Sequence, residues 1–437
     1  MIPSLRKRFN ERFTPDKYQA FLRRIDEVSG THVEFRLSET PCFFPKELLD
    51  RMAGDGKELI RQLVDSPEYL AKSDEAVPAE FKVPNEPAHP MFVQVDFGLV
   101  RDARGELHPK LVELQAFPSL YAYQGPLAEA YIDVYGLGGP EWASAKSWFL
   151  TDASRPFGMT TQEADTSPQF GMTNLEAEPG GSGLKYFLGG LDKGSYRELL
   201  RAAIVGSHDP ENVILMEIDP LHQKTLPDFL LTEKMLGVRA VDIAGIKKEG
   251  SRLYYERDGK RVPIRRIYNR AIVDELERKN VKLNFDWRDE LNVEWAGHPN
   301  WYFRISKYSI PYLKHPSVPR TWFLDRLLEV PADLDNFVLK PLYSFAGLGV
   351  VIAPTRADID AIPAAKRSEY ILQERLNFAP VVDTPYGETK VELRIMYVWL
   401  DELLPVLTIV RMGRGLMMGV DHNKNMKWVG SSAALIS

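Results

Sequence analysis

A short segment around residue 340 limits the fold of this chain more than any other stretch. Residues 337–339 form an apolar run typical of a buried strand, Lys340 ends the run, and Pro341 interrupts regular strand pairing. A loop of small residues leads to residues 350–352, where strand character returns. The order of strand, lysine, glycine-rich loop and strand predicts a hairpin that closes over an anion.

The loop of this hairpin has the properties of a phosphate-binding loop. Gly347 and Gly349 can adopt positive φ, which allows several backbone N–H groups to point at one anion. Lys340 adds the point charge that a phosphate requires. The loop is not a Walker A motif, because that motif places its lysine at the start of a helix. An ordinary hairpin with a solvated lysine fits the same residues.

Length, charge and cysteine content exclude several classes of protein. The chain has 437 residues, enough for roughly two to four domains, and its net charge of −6 gives no basic face for nucleic acid. The single cysteine, Cys42, excludes an internal disulfide and a cysteine-cluster metal site, and its apolar neighbours predict a buried, inert thiol. Because no apolar segment reaches about 18 residues, we expect a cytoplasmic protein that binds no membrane.

Hydrophobic periodicity divides the chain into five parts. Apolar residues at helical spacing predict a helical N-terminal region over residues 1–90, and strand patterns follow over residues 91–150. Residues 151–190 are rich in Gly, Ser, Thr, Pro and acidic residues, which predicts a flexible loop. Alternating strands and helices over residues 191–300 predict a Rossmann-like α/β domain with a parallel layer. Residues 301–437 contain the lysine hairpin and the strands that follow it.

The strands of residues 91–100 and 111–115 carry polar side chains in otherwise apolar surroundings. Side-chain alternation places Glu113 and Gln115 on one face, and Asp96 joins them if the two strands pair. Two carboxylates and an amide oxygen form an all-oxygen set, which suits Mg²⁺ bridging nucleotide phosphates. Burying such groups is costly unless they bind something. The alternative is a one-sided sheet on which they face solvent.

Further arginines are candidates for substrate or phosphate contacts. Glu392 and Arg394 share one face of a strand, as a phosphate-side pair or as a plain cross-strand ion pair. Arg270 directly follows a short strand and can bind a carboxylate or phosphate through two hydrogen bonds, a surface salt bridge being the alternative. Lys307 is a candidate second phosphate contact.

The C-terminal segment is polar and punctuated by glycine. Its candidates for phosphate or substrate binding are Arg411, Arg414, Asn423 and Asn425.

Taken together, these motifs resemble the ATP-grasp superfamily in its circularly permuted form, as in glutathionylspermidine synthetase. The pieces run in the order of that family: residues 318–324, the lysine strand with its glycine flap, Ile-Leu-Gln-Glu at 371–374, Val-Glu-Leu-Arg at 391–394, and an Arg…Asn segment. The hairpin that carries Asp96 and Glu113 corresponds to the magnesium hairpin. It stands near the N-terminus instead of last, which is what the permutation produces.

The resemblance implies a mixed α/β (α+β) chain with an ATP-grasp fold, a Rossmann-like preceding domain and a helical N-terminal region. It implies an ATP- and Mg²⁺-dependent ligase that activates a carboxylate as an acyl phosphate for attack by an amine. The substrates would belong to the peptide, amino-acid or polyamine class. The resemblance concerns only the synthetase part of such enzymes, because the sequence has no region like the thiol-amidase that accompanies some of them.

The resemblance also assigns the site residues. Asp96, Glu113 and Gln115 would hold Mg²⁺, although Gln115 replaces the usual asparagine with a longer side chain. The catalytic arginines would be Arg394, Arg411 and Arg270. The ATP-binding residues would be Lys307, Lys340, Ser344, Gly347, Gly349, Gln373, Glu374, Leu376, Asn423 and Asn425, with Gln373, Glu374 and Leu376 framing the adenine.

Three other functions fit the same residues. The chain could be an ATP-dependent phosphotransferase on the same fold, or a nucleotide-binding protein without turnover. It could also be a metal-dependent hydrolase that uses Asp96 and Glu113. Nucleotide binding without ADP release indicates the non-catalytic protein, and magnesium-dependent activity without ATP indicates the hydrolase.

Overall fold

The structure, a computed structural model, describes residues 1–143, 183–343 and 347–437. Most of the predicted flexible loop over residues 151–190 lies outside these ranges, as does Ser344. Among the helices that are described, none is both long enough and apolar enough to cross a membrane.

The described ranges contain helices distributed along the whole chain. They are α1 (Pro3–Arg12), α2 (Pro15–Ser29), α3 (Lys46–Val64), α4 (Pro67–Asp74), α5 (Gln124–Tyr135), α6 (Pro140–Ala143), α7 (Lys193–Ile204), α8 (Leu226–Leu236), α9 (Val273–Arg278), α10 (Asn300–Arg304), α11 (Arg356–Asp360) and α12 (Val420–Asn423).

The strands of these ranges form five sheets. They are β1 (Cys42–Phe44), β2 (Phe92–Arg101), β3 (Leu107–Gln115), β4 (Val213–Glu217), β5 (Arg239–Asp242), β6 (Lys247–Glu249), β7 (Arg252–Arg257), β8 (Lys260–Ile264), β9 (Arg266–Asn269), β10 (Glu294–Ala296), β11 (Thr321–Phe323), β12 (Phe337–Pro341), β13 (Val351–Ile352), β14 (Tyr370–Glu374), β15 (Pro380–Val382), β16 (Thr389–Trp399), β17 (Leu403–Gly413), β18 (Gly430–Ser432) and β19 (Ala434–Ile436).

The central sheet is antiparallel and joins two distant parts of the chain. Its strand order is β18-β17-β16-β2-β3, and β15 also pairs with β16. The predicted pairing of β2 with β3 is confirmed, with Asp96 opposite Glu113. On its other side β2 pairs with β16, which places Arg394 opposite Asp96. The chain is therefore a mixed α/β protein whose largest sheet needs residues from both halves of the sequence.

The predicted N-terminal helices pack on this sheet. The Thr14 side chain caps α2 by accepting from the backbone N–H of Lys17 at 3.3 Å. In α3, a Cβ added at Gly56 would lie 2.1 Å from Tyr397 Oη, so glycine allows the helix to approach β16 closely. The Tyr397 hydroxyl donates to the carbonyl of Ala53 at 2.9 Å and fixes this contact. The helices thus cover one face of the central sheet and leave its polar residues to the cavity described below.

The predicted parallel layer is confirmed. Strands β10, β9, β4 and β5 form a four-stranded parallel sheet, and β6, β7 and β8 form a separate antiparallel sheet. In the parallel sheet Met216 lies opposite Asn269, so the following residues, Glu217 and Arg270, lie side by side at its carboxyl edge.

The lysine hairpin is also confirmed. Strands β12 and β13 pair antiparallel, with Val338 opposite Ile352, in a small sheet of order β11-β14-β12-β13. One boundary differs from the sequence pattern, because β3 begins at Leu107 and includes Pro109. β3 is an edge strand, where proline is tolerated. Cys42 is fully buried in β1, and burial raises its pKa to about 12, as expected for an inert thiol.

Candidate functional site

A cavity of about 670 Å³ lies where the central, parallel and lysine-hairpin sheets meet. Residues of β3, the carboxyl ends of β4 and β9, the β12–β13 hairpin, the segment after β14 and strands β16 and β17 form its walls. Lys340 Nζ on β12 donates to the carbonyl of Val112 on β3 at 3.2 Å. The acidic hairpin and the lysine strand are therefore in direct contact, close enough for one nucleotide to bridge them.

A buried ion pair lies under the floor of this cavity. Arg394 donates from Nε and Nη2 to the two oxygens of Asp96, at 2.5 and 2.6 Å, and from Nη1 to Gln94 Oε1 at 2.9 Å. Burial favours the neutral carboxyl of Asp96, but the charges of Arg394 and Arg411 outweigh it and hold its pKa below the ordinary value. Asp96 is therefore an ionised partner of two guanidinium groups.

Arg411 on β17 extends the same network. Its Nη1 lies 3.3 Å from Asp96 Oδ2 and donates to Glu392 Oε1. Burial raises the pKa of Glu392 to about 6, although Arg411 acts in the opposite direction. Arg394, Arg411 and Glu392 all line the cavity, so this network positions two cationic side chains on its wall.

Two lysines face the cavity beside Glu113. Lys307 Nζ lies 3.9 Å from Glu113 Oε2, and Arg394 Nη2 lies 3.7 Å from Glu113 Oε1. Lys340 donates to Gln373 Oε1 as well as to Val112, and burial lowers its pKa to about 8 against the opposing charge of Glu113. One carboxylate is thus surrounded by cations, which is an arrangement that attracts a polyanion such as a triphosphate.

The predicted magnesium residues do not offer three equivalent ligands. Both oxygens of Asp96 are used by Arg394, and the amide of Gln115 lies 2.6 Å from Arg394 Nη1 when its oxygen faces the guanidinium. Glu113 is the exception, because its side chain is 25% exposed and its cationic neighbours lie at 3.7 and 3.9 Å, beyond hydrogen-bond distance; like Gln115, it lines the cavity. Magnesium in nucleotide sites is held by one or two carboxylates together with phosphates, so Glu113 fits an ion that arrives with its nucleotide.

The predicted adenine segment follows β14 along the cavity. Gln373, Glu374 and Leu376 all line it. Gln373 is 2% exposed, and its Nε2 has no hydrogen-bond partner among the described residues. Glu374 also forms an exposed ion pair with Arg320 at 3.3 Å. A buried, unused amide donor on the cavity wall is available to a nitrogen or oxygen acceptor of a ligand.

The glycine flap lies over the C-terminal loop. Gly347 and Gly349 have φ of 76° and 72°, as the phosphate-loop interpretation requires. A Cβ at Gly347 would lie 2.6 Å from Met417 Cε, so the flap and the loop after β17 touch across the cavity. Gly347 lines the cavity; the predicted role of Ser344 falls outside the described residues.

The two predicted asparagines differ in position. Asn423 is buried and holds the C-terminal loop together, accepting from the backbone N–H groups of Arg414 and Gly415 and donating to the carbonyls of Met417 and Gly419. Asn425 is exposed and does not line the cavity. In this conformation Asn423 shapes the cavity indirectly, and a direct contact of either residue with a ligand stays a prediction.

Arg270 lies on the cavity wall formed by the parallel sheet. It is 3% exposed and donates from Nη1 to the carbonyl of Pro118, while its Nε has no partner among the described residues. Glu217, also on this wall, is 4% exposed, and burial raises its pKa to about 7 although Arg270 lowers it.

The sequence motifs did not single out Gln94 and Glu217. Gln94 lies two positions before Asp96 on the same face of β2, so the alternation that indicated Asp96 could have found it too. Glu217 is the last residue of a strand in a parallel layer, the position at which such sheets present ligand-binding residues. Both signals are present in the sequence, but each indicates a binding residue only when the neighbouring strands of its sheet are known.

Comparison with known proteins adds information about the fold. No protein-family model matches the chain, and no curated protein is significantly similar to it in sequence. Among solved structures, the fold is similar to that of a glutathione synthetase-like protein. That protein is a glutathione synthetase-like effector from Globodera pallida, solved in its apo form, with a TM-score of 0.55 over 97% of this chain and 99% of the effector. The identity is 11%, so the likeness concerns the fold alone.

Proposed function

We propose that this protein is an ATP-dependent carboxylate–amine ligase with a circularly permuted ATP-grasp fold. The observation that carries the proposal is the hydrogen bond from Lys340 to Val112, because it brings the lysine hairpin and the acidic hairpin together on one cavity. The whole-length similarity to a glutathione synthetase-like effector supports the same fold.

The cavity suits a nucleoside triphosphate. Val338 and Ile352, which face each other in the hairpin register, line it together with Leu376 and provide apolar surface for a base. Lys340 and Lys307 provide positive charge for the phosphates beside Glu113. The positive φ of the flap glycines allows backbone N–H groups to point at an anion.

In the proposed reaction, an oxygen of a substrate carboxylate attacks the γ-phosphorus of ATP and displaces ADP. An amine then attacks the carbonyl carbon of the acyl phosphate, which forms an amide and releases phosphate and a proton. The charge that develops on the transferred phosphoryl group would be stabilised by Lys340, Lys307 and Arg411. The buried partners of Arg411 would hold its side chain in place. A magnesium ion, when bound with the nucleotide, would neutralise phosphate charge next to Glu113. The described side chains supply positioning and charge, so no protein nucleophile is required.

A second function is favoured by one specific observation. Both oxygens of Asp96 are engaged by Arg394, and Asp96 does not line the cavity. Gln115 lines it, but its amide oxygen faces the same guanidinium. A protein that binds nucleotide and has lost turnover would show this arrangement. ADP release distinguishes the two functions.

The test measures ATP binding and ADP release separately. We expect Lys340→Ala to weaken ATP binding about 10- to 100-fold, because a charge-assisted contact to phosphate is lost. Isothermal titration calorimetry with ATP and Mg²⁺ measures the affinity, and a coupled assay measures ADP release over a panel of carboxylates and amines.

The matched control is Lys366→Ala, an exposed lysine that does not line the cavity. We expect this variant to bind ATP like the unmodified protein. Equal ATP binding by the Lys340 and Lys366 variants would refute the nucleotide site. Tight ATP binding without ADP release for any substrate pair would favour the non-catalytic protein.

A further inference from the structure

A second pair of charges lies at the carboxyl edge of the parallel sheet, where β4 and β9 end. Glu217 and Arg270 lie side by side at the ends of these adjacent strands, and both line the cavity. In open sheets of parallel strands, ligands bind at this edge. The wall opposite the lysine hairpin is therefore a candidate site for a second substrate.

Arg270 is a buried cation whose donors are only partly used. Its guanidinium lies over the rings of Phe117 and Phe229, at 5.0 and 5.5 Å, and one Nη donates to the carbonyl of Pro118. Its Nε has no partner, and the guanidinium forms no ion pair with any residue that the structure describes. Since a guanidinium carries five donors and its burial is costly without partners, the arrangement is suited to an incoming carboxylate.

Glu217 is the complementary anion. Its Oε1 accepts from the backbone N–H of Ile218 at 2.8 Å, and within the described ranges the carboxylate forms no ion pair. Asp228 also lies near Arg270, but it does not line the cavity, and its Oδ1 accepts from the backbone N–H groups of Ala122 and Tyr123. Asp228 Oδ2 has no hydrogen-bond partner among the described residues, but Asp228 does not line the cavity. Glu275 does line it and pairs with Lys279 at 2.7 Å, so Glu217 is the carboxylate that this wall presents to a ligand without an ion pair of its own.

We infer that Arg270 and Glu217 bind the zwitterionic head group of an amino acid, with the carboxylate on Arg270 and the ammonium on Glu217. When Glu217 is ionised the pair is neutral overall, so a neutral zwitterion compensates both buried charges at once. A dicarboxylate would leave Glu217 uncompensated, and a polyamine would leave Arg270 uncompensated, each at the cost of a buried unpaired charge. As the second-substrate site of a ligase this inference rests on the proposed function, although binding of the head group requires no nucleotide.

The test is isothermal titration calorimetry of the full chain, without nucleotide, against a panel of free L-amino acids, spermidine and succinate. We expect at least one amino acid to bind more tightly than spermidine and succinate. Arg270→Met and Glu217→Gln should each weaken that binding about 10- to 100-fold, the worth of a hydrogen bond to a charged group. Because Arg270→Met could perturb the neighbouring packing, the circular dichroism of both variants should match that of the unmodified protein.

The matched controls are Arg239→Met and Glu233→Gln, an ion pair of 3.1 Å in the same part of the chain that does not line the cavity. Neither should change amino-acid binding by more than about twofold. Preferred binding of spermidine or succinate, no binding of any probe, or equal affinity in the Arg270 and Arg239 variants would overturn the inference. ATP binding without amino-acid binding would refute this subsite alone, and amino-acid binding without ATP binding would refute the proposed ligase alone.

Discussion

Two groups of buried charges lie on or under the cavity, and they differ in how their charges are compensated. In the central sheet, Asp96 accepts hydrogen bonds on both oxygens from Arg394 and lies 3.3 Å from Arg411. At the edge of the parallel sheet, Arg270 and Glu217 are equally buried, but neither forms an ion pair with a described residue.

We interpret the first group as part of the structural framework and the second group as part of the binding surface. A buried charge with its full set of partners can hold strands in register, and removing one partner leaves the other charge exposed to a low-dielectric interior. A buried charge without partners weakens the fold until a ligand supplies them, which is typical of binding sites. We therefore expect substitutions in the first group to reduce stability and substitutions in the second group to reduce binding.

The largest effect on stability is expected for Asp96→Ala. This change leaves the guanidinium groups of Arg394 and Arg411 buried without their shared carboxylate, which should lower the free energy of unfolding by about 3–5 kcal/mol. Urea denaturation measures the loss. Asp401→Ala, which changes an exposed carboxylate in the turn between β16 and β17 of the same sheet, is the control and should cost about 1 kcal/mol or less. A loss at Asp96 no larger than at Asp401 would show that the pair does not stabilise the sheet.

A smaller, pH-dependent effect of opposite sign is expected for Glu217→Gln. The folded pKa of Glu217 is raised from 4.5 to about 7, so between these values the folded protein binds a proton that the unfolded chain has lost. The free energy of unfolding therefore falls as pH rises through this range. The glutamine of the variant does not ionise, so this fall is absent. We expect the variant to gain about 2–3 kcal/mol over the unmodified protein on going from pH 5 to pH 8.

Urea denaturation at the two pH values measures this gain, and Glu233→Gln on the surface of the same region serves as control. The control should show the same difference from the unmodified protein at both pH values. If Glu217→Gln behaved in the same way, Glu217 would be ionised and compensated in the folded protein, and the contrast between the two groups would disappear.

The smallest effect on stability is expected for Glu113→Gln. Its ion-pair distances of 3.7 and 3.9 Å are long and its side chain is partly exposed, so the free energy of unfolding should change by less than about 1 kcal/mol. Under the proposed function, ADP release should nevertheless be lost while ATP still binds, because the carboxylate that would hold the metal beside the phosphates is gone. A turnover rate equal to that of the unmodified protein would show that Glu113 holds no metal.

Local pattern was sufficient for several elements of the fold. Alternating strands and helices were predicted over residues 191–300, and β4, α8 and β5 follow one another there in that order. Alternation in β2 and β3 correctly placed Asp96, Glu113 and Gln115 on a common face, because the side-chain period of a strand does not depend on its neighbours.

What a residue contacts across the sheet could not be predicted in the same way. The pair between Asp96 and Arg394 depends on the register of β2 against β16, which no local pattern specifies. For the same reason the sequence indicated three metal ligands. In the structure, the register of the sheet brings two of them, Asp96 and Gln115, into contact with Arg394. Glu217 lies in the region of alternating strands and helices, but its significance required the neighbouring strand β9, which Arg270 follows directly.

The pairing of β2 with β16 also has a consequence for how the protein is made. Arg394 is added to the chain 298 positions after Asp96, which corresponds to roughly 15–60 s of translation at typical rates of synthesis. During that interval one edge of β2 has no partner strand, and its carboxylate has no guanidinium. Such an open edge is the kind of surface that nascent-chain chaperones cover, so we expect this protein to depend on them during synthesis more than a chain whose central strands are neighbours in sequence.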